Sequence, residues 1–180
     1  MTDSLEQVRE HAANIVKLAL LDGGLAIEQP RADVFVVQLP GEHKLTTPCA
    51  IAVGPHTVTV NAFVARAPEE NREEVYRLLL QRNPRLVGVS FALDRLGDIY
   101  LVGRLPSASL TVADVDALLG SLAHAADSMF DHILALGFES SIRHEWRWRR
   151  SKGEPADNLE PFRALLDLRD DDVDAEPAPS

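Results

Sequence analysis

The segment from Thr111 to Leu136, TVADVDALLGSLAHAADSMFDHILAL, constrains the fold of this chain more than any other. Val112, Val115, Leu119, Leu122, Ala126, Met129, Ile133 and Leu136 recur at alternating intervals of three and four, so a helix gathers them into one unbroken apolar stripe. Such a stripe requires a surface to cover it. Thr111 with Asp114 three residues on predicts an N-terminal cap, and Asp116 adds negative charge near the positive end of the helix dipole. Gly137 predicts the stop.

The surface to be found is a sheet. Asp33–Leu39, Cys49–Val53 and Thr57–Arg66 read as three strands joined by short turns, hence an antiparallel meander. Apolar residues on both alternating sets of the first, Val34 and Val36 against Phe35 and Val37, predict a strand covered on both faces. Leu86–Leu93 and Ile99–Leu105 flank a loop containing Gly97 and form a hairpin. Two further helices are expected. Ser4 to Gln7 fits a capping box ahead of Leu5, Val8, Ala12, Ile15 and Ala19, with Asp22-Gly23-Gly24 ending the helix. Pro68 to Asn83 reads as the second, with Pro68, Glu69 and Glu70 in its first turn and Asn83-Pro84 as its close. The order α-β-β-β-α-β-β-α places the chain in the α+β class with an antiparallel sheet.

Element order, the segment LLLQRNP before the second hairpin, the strand GDIYLVGRLP and the run LTVADVDALLGSLAHAADSM together resemble the YbjN family from about Leu5 to Phe138. That resemblance implies the fold of type III secretion chaperones, a role described as sensory transduction regulation, and a small acidic homodimer that holds a partner polypeptide. It implies no chemistry, since none of these motifs is a catalytic signature.

Beyond Phe138 the composition changes. The expected organisation is a YbjN-like α+β domain over 1–140, a basic and aromatic segment with a short amphipathic helix over 141–169, and an acidic disordered tail over 170–180. Trp146 and Trp148, two residues apart, would share one face of an extended segment, with Arg147 and Arg149 on the other. Asn158–Leu168 offers the short helix through Leu159, Phe162, Leu165 and Leu166.

Chemistry is sparse. One cysteine, Cys49, lies in an apolar run and reads as a buried small residue, consistent with a reducing compartment. His11, His43, His56, His124, His132 and His144 are scattered, so no metal site and no cofactor is expected. Asp127 and Asp131, at helical spacing, read as a solvated flank rather than a catalytic pair. Gly23-Gly24 falls at a helix end, where a phosphate loop would need a helix start, and Ser140 and Ser141 have no matching base. The chain is therefore read as non-enzymatic. No apolar run spans a bilayer and the N-terminus lacks a signal core, so a cytoplasmic location is expected.

Two surfaces remain as candidates. Tyr76, Leu79 and Leu80 carry more apolar area than their helix needs for one packed face, and self-association as a homodimer would hide it. Arg143, Trp146, Arg147, Trp148, Arg149 and Arg150 form a basic aromatic cluster for a protein partner or nucleic acid, although packing or masking by the acidic tail is favoured and a formal net charge of -10 opposes nucleic-acid binding. A small-molecule sensor would need an apolar pocket between sheet and long helix.

Overall fold

The computed structural model of the protein describes residues 2–155, 157–163 and 166. Helices α1 (Thr2–Asp22), α2 (Arg72–Arg82), α3 (Val112–Gly137) and α4 (Glu139–Lys152) accompany strands β1 (Glu28–Arg31), β2 (Val34–Pro40), β3 (Thr46–Val53), β4 (Thr57–Ala65), β5 (Val89–Leu93) and β6 (Ile99–Pro106). All pairings are antiparallel, in the order β1-β2-β3-β4-β6-β5. The first four strands form a meander. The β5–β6 hairpin then joins through β6, which leaves β5 on the edge beside α2.

The α+β class and the antiparallel sheet are as the residue pattern predicts, with one strand more. The extra strand, β1, is EQPR, exposed throughout and without apolar periodicity. β3 starts earlier than expected, at Thr46, because Pro48 lies inside a strand. It pairs with Gln38 of β2, while the ladder to β4 begins only at Cys49, so this part of β3 has a partner on one side.

The helices cover one face of the sheet. Phe35 and Val37 of β2 are buried, Val34 and Val36 only partly, so the expectation of a strand covered on both faces is corrected. The same alternation runs across the sheet: Cys49, Ile51 and Val53 inward in β3, Val58, Val60, Ala62 and Val64 in β4, Ile99 and Leu101 in β6. Against this face lies α3, which buries Val115, Leu119, Leu122, Ala126, Met129 and Ile133, broadened by Leu118 and Ala125.

Local details decide how the helices end. Thr111 and Asp114 form the capping box: the Asp114 N–H donates to Thr111 Oγ1 at 3.2 Å and the Thr111 N–H to Asp114 Oδ2 at 3.0 Å. Helix α1 begins at Thr2, so Ser4 lies within it rather than capping it. Helix α2 begins at Arg72, not Pro68, with Glu73 and Glu74 in its first turn. Glu69 and Glu70 serve another helix instead: Glu70 accepts the Ser140 backbone N–H at 2.6 Å and its hydroxyl at 3.0 Å, and Glu69 accepts from the Ser141 hydroxyl, at the start of α4. Gly137 does end α3, through close approach rather than a left-handed turn, because a Cβ there would lie 2.9 Å from Pro68 Cβ. Its carbonyl accepts the N–H groups of both Glu69 and Glu70.

The expected extended segment with two tryptophans is a helix, α4. Tryptophan pairs at a spacing of two suggest a strand, but Ile142 and Trp146 at a spacing of four turn the helix onto the core. Leu159, Phe162 and Leu166 are buried in that core too, although 157–162 is a 3-10 turn and Leu165 lies outside the described residues, as does the acidic run 170–180.

Two glycines of α3 provide a paired test. Gly137→Ala should cost about 1–3 kcal/mol by overpacking against Pro68. Gly120→Ala, where a Cβ meets nothing within 4 Å, should instead stabilise by up to about 1 kcal/mol. Urea unfolding midpoints of the two variants should move in opposite directions.

Candidate functional site

Helix α2 lies in the connection between β4 and β5, and one flank of it encloses a groove with β5. Tyr76, Leu79, Leu80, Phe91, Ala92 and Leu93 line a cavity of about 290 Å3. Leu79 is 3% exposed and Phe91 is buried, which makes them the floor; Leu80 at 67% and Leu93 at 45% exposure form the lips. Tyr76 is partly buried, and its hydroxyl donates to the Gly97 carbonyl at 3.3 Å, tying the β5–β6 loop to α2. Gly97 has a φ of +87°, and a Cβ there would come 2.9 Å from that hydroxyl, so both conformation and space require glycine. The structure thus brings together the three residues singled out from the sequence, but gives Leu79 to the floor of the groove rather than its rim.

The sequence reading missed the partner wall and its protection. As an edge strand, β5 would present unpaired backbone groups. The Asn83 side chain engages them: the Phe91 N–H donates to Asn83 Oδ1 at 2.7 Å, and Asn83 Nδ2 donates to the Phe91 carbonyl at 3.2 Å. One amide side chain here takes the place of a neighbouring strand. The Asn83-Pro84 pair, legible only as a helix end, therefore also blocks main-chain pairing at the middle of β5.

The basic aromatic cluster is distributed around α4. Arg143 Nε pairs with Glu139 at 2.9 Å and Arg149 Nε with Glu145 at 2.6 Å, each one turn back along the helix. The Arg150 guanidinium lies 4.5 Å from the centre of the Trp146 ring, which itself packs on the core. Trp148, 44% exposed, and Arg147 face solvent. The six residues do not form one surface, because helical geometry sends positions 146 and 148 in different directions.

The Asp127 and Asp131 pair, expected as a solvated flank, instead makes tertiary contacts. Asp127 accepts the N–H groups of His43 and Lys44 at 2.8 and 2.9 Å, and Asp131 Oδ2 lies 2.5 Å from His43 Nδ1, so the two carboxylates clasp the β2–β3 loop to α3. Gly41 makes room for this, since a Cβ there would lie 2.5 Å from Asp127 Oδ1. Lys44 turns inward, donating to the Phe63 and Val64 carbonyls at 2.6 and 2.7 Å between the rings of Phe63 and Phe130. Burial lowers its pKa to about 8, whereas the hydrogen bond and charge of Asp131 raise that of His43. Buried Cys49 has its thiol pushed up to about 12 by desolvation, which keeps it protonated and unreactive. Among the described residues no group of three or more His, Cys, Asp or Glu side chains is placed to hold a metal, and no helix is long and apolar enough to cross a membrane.

Comparison with known proteins agrees with this architecture. Residues 12–135 match the family model of YbjN, described as "Putative bacterial sensory transduction regulator". The chain belongs to the YbjN family. An uncharacterized protein of Mycobacterium tuberculosis is 44% identical over 169 residues, covering 92% of this chain and 91% of that one. One of Mycobacterium leprae is 51% identical over 133 residues, covering 74% and 72%. Among solved structures, the Yersinia pestis type III secretion chaperone SycH, in complex with a stable fragment of YscM2, is similar with a TM-score of 0.50 and 16% identity, over 65% of this chain and 98% of that one. This YbjN chain therefore has the chaperone-like fold expected from its sequence.

Two substitutions test the groove wall and the clasp. Asn83→Ala should cost about 1–3 kcal/mol, because it leaves the Phe91 backbone groups without their partner, and should raise aggregation through the opened edge; chemical denaturation and light scattering read both. For His43, a folded-state pKa above the unfolded value means stabilisation that is complete below the unfolded pKa, about 6.5, and lost as pH rises through the folded one. Amide exchange at His43 and Lys44 should accordingly accelerate above about pH 6.5 relative to its intrinsic rate, and His43→Gln should abolish this extra pH dependence.

Proposed function

We propose that this chain is a non-enzymatic, cytoplasmic interaction module that works as a homodimer and, chaperone-like, holds a partner polypeptide. The observation carrying the reading is the α2–β5 groove, in which two exposed leucines stand over an apolar floor. Apolar area of this kind at a sheet edge is costly to leave in water, and a self-complementary patch is hidden by a second copy across a two-fold axis. The blocked edge at Phe91 favours packing of side chains from the second α2 over strand addition.

A partner polypeptide would then use other apolar surface. The face of the sheet not covered by helices carries Val34, Val36, Ala50, Ala52, Tyr100 and Val102, all partly or fully exposed. Their side chains are small or flat, suited to an extended polypeptide laid across strands. SycH, which shares the fold, was solved holding a polypeptide fragment; carrying that use over to this chain rests on the groove and sheet chemistry here, since sequence identity is low.

Nucleic-acid binding through α4 is less favoured. Arg143 and Arg149 are paired with glutamates and Arg150 stacks on Trp146, so these cations are already engaged within the helix. The formal net charge of -10 adds repulsion.

Leu80→Asp should split the dimer without unfolding the chain, since Leu80 is exposed in the protomer. By light scattering at micromolar concentration, wild type should weigh two protomers and the variant one, with the same circular dichroism. A wild-type chain weighing one protomer would refute the dimer.

A further inference from the structure

On the side of α2 away from the groove, a second cleft opens against α3. It measures about 350 Å3 and lies between the last turn of α2, the turn over 83–85 and the C-terminal half of α3. Arg82, Arg85 and His132 line it together with Gln81 and Ser128, and no carboxylate does. In a chain of formal net charge -10 such a lining is a local reversal of sign. Leu78 and Met129 supply an apolar part of the wall.

Two of these lining residues carry an unmet hydrogen-bonding group. Arg82 Nε and Ser128 Oγ are buried and have no hydrogen-bond partner, and they are the buried side-chain atoms so identified among the described residues. Buried donors without an acceptor are rare, because each forfeits its hydration with nothing in return. Finding both in the lining of one basic cleft points to an acceptor that binds there. The arginine N–H and serine O–H are both donors suited to an oxyanion, and Arg85 adds a fork of guanidinium donors on the exposed side.

We propose that this cleft is a binding site for a small organic anion, with a phosphate or carboxylate group meeting Arg82, Arg85 and Ser128 and a short apolar body resting on Leu78 and Met129. The volume suits a ligand at the small end of the range for metabolite pockets, roughly 300–1,000 Å3. Neither the family match nor the proposed polypeptide partner supplies such a ligand, and the site is separate from the groove, with α2 between them. A ligand there would bridge α2 and α3.

The test uses the full chain and phenyl phosphate, inorganic phosphate and benzoate as probes, with chloride at matched ionic strength as the reference. Nuclear magnetic resonance follows the Arg82 Nε–H and the Ser128 amide. Saturable shifts of both with phenyl phosphate, or with benzoate, support the site and identify the anion class. The combined variant Arg85→Gln and Ser128→Ala avoids Arg82, keeps the fold readable by its spectrum, and should weaken binding at least tenfold. Ser128→Ala alone should leave unfolding in chloride unchanged or slightly more resistant, because it removes a hydroxyl that has no partner. Shifts that do not saturate, equal affinity in the double variant, or inorganic phosphate binding as tightly as phenyl phosphate would overturn the assignment.

Discussion

The structure depends on burying one stripe of α3 against one face of a twisted antiparallel sheet. Val115, Leu119, Leu122, Ala126, Met129 and Ile133 are all buried, facing inward residues contributed by β2, β3, β4 and β6. At roughly 1.5–3 kcal/mol for each large aliphatic side chain, this contact outweighs any single polar interaction in the molecule. The other helices are placed relative to it. Helix α1 packs alongside through Ala12, Val16, Ala19 and Leu20, and α4 continues the same core through Ile142 and Trp146.

The polar contacts are directional and therefore act at the ends, where the apolar contact cannot fix geometry. Thr111 and Asp114 set where α3 begins. The Gly137 carbonyl and the missing Cβ beside it bring the Pro68–Glu70 segment against the end of α3, and Asn71 Nδ2 donates to the Leu136 carbonyl at 3.0 Å. Asn71 itself has a φ of 47°, a left-handed conformation that asparagine accepts more readily than most residues. The Asp127 and Asp131 clasp fixes the β2–β3 loop halfway along. The contacts of Glu69, Glu70 and Asn71 tie the entry to α2 to the end of α3, and the groove toward β5 and the basic cleft toward α3 open on opposite sides of α2.

Much of this was legible. Periodicity located α3, α1 and the main strands because burial on one face imprints a period on the chain. It failed where the determining contact was distant or the local signal weak. β1 has no buried residue to mark it, and Pro48 looks like a loop unless one knows that one side of β3 is unpaired there. Glu69 and Glu70 look like the start of the helix that follows them, but their partners, Ser140 and Ser141, are about 70 positions away. The tryptophan spacing suggested an extended segment, and the helix is favoured instead by Ile142 and Trp146 reaching the core together. At the candidate site, Tyr76, Leu79 and Leu80 stand out as surplus apolar residues, whereas Phe91, Leu93 and the Asn83 amide join them only through the return of the chain into β5.

The sequence by itself determined the class of fold, the stripe that organises it, the cap of α3 and the α2 residues with more apolar surface than one helix face needs. These follow from local rules, since hydrophobic period and capping chemistry act between residues a few positions apart. Only the tertiary structure decided which of those α2 residues is floor and which is rim, what guards the edge of β5, and that Arg82, Arg85 and Ser128 share a cleft. Those outcomes depend on where the chain passes a second time, and the approach of two distant segments is governed by the packing of the whole core.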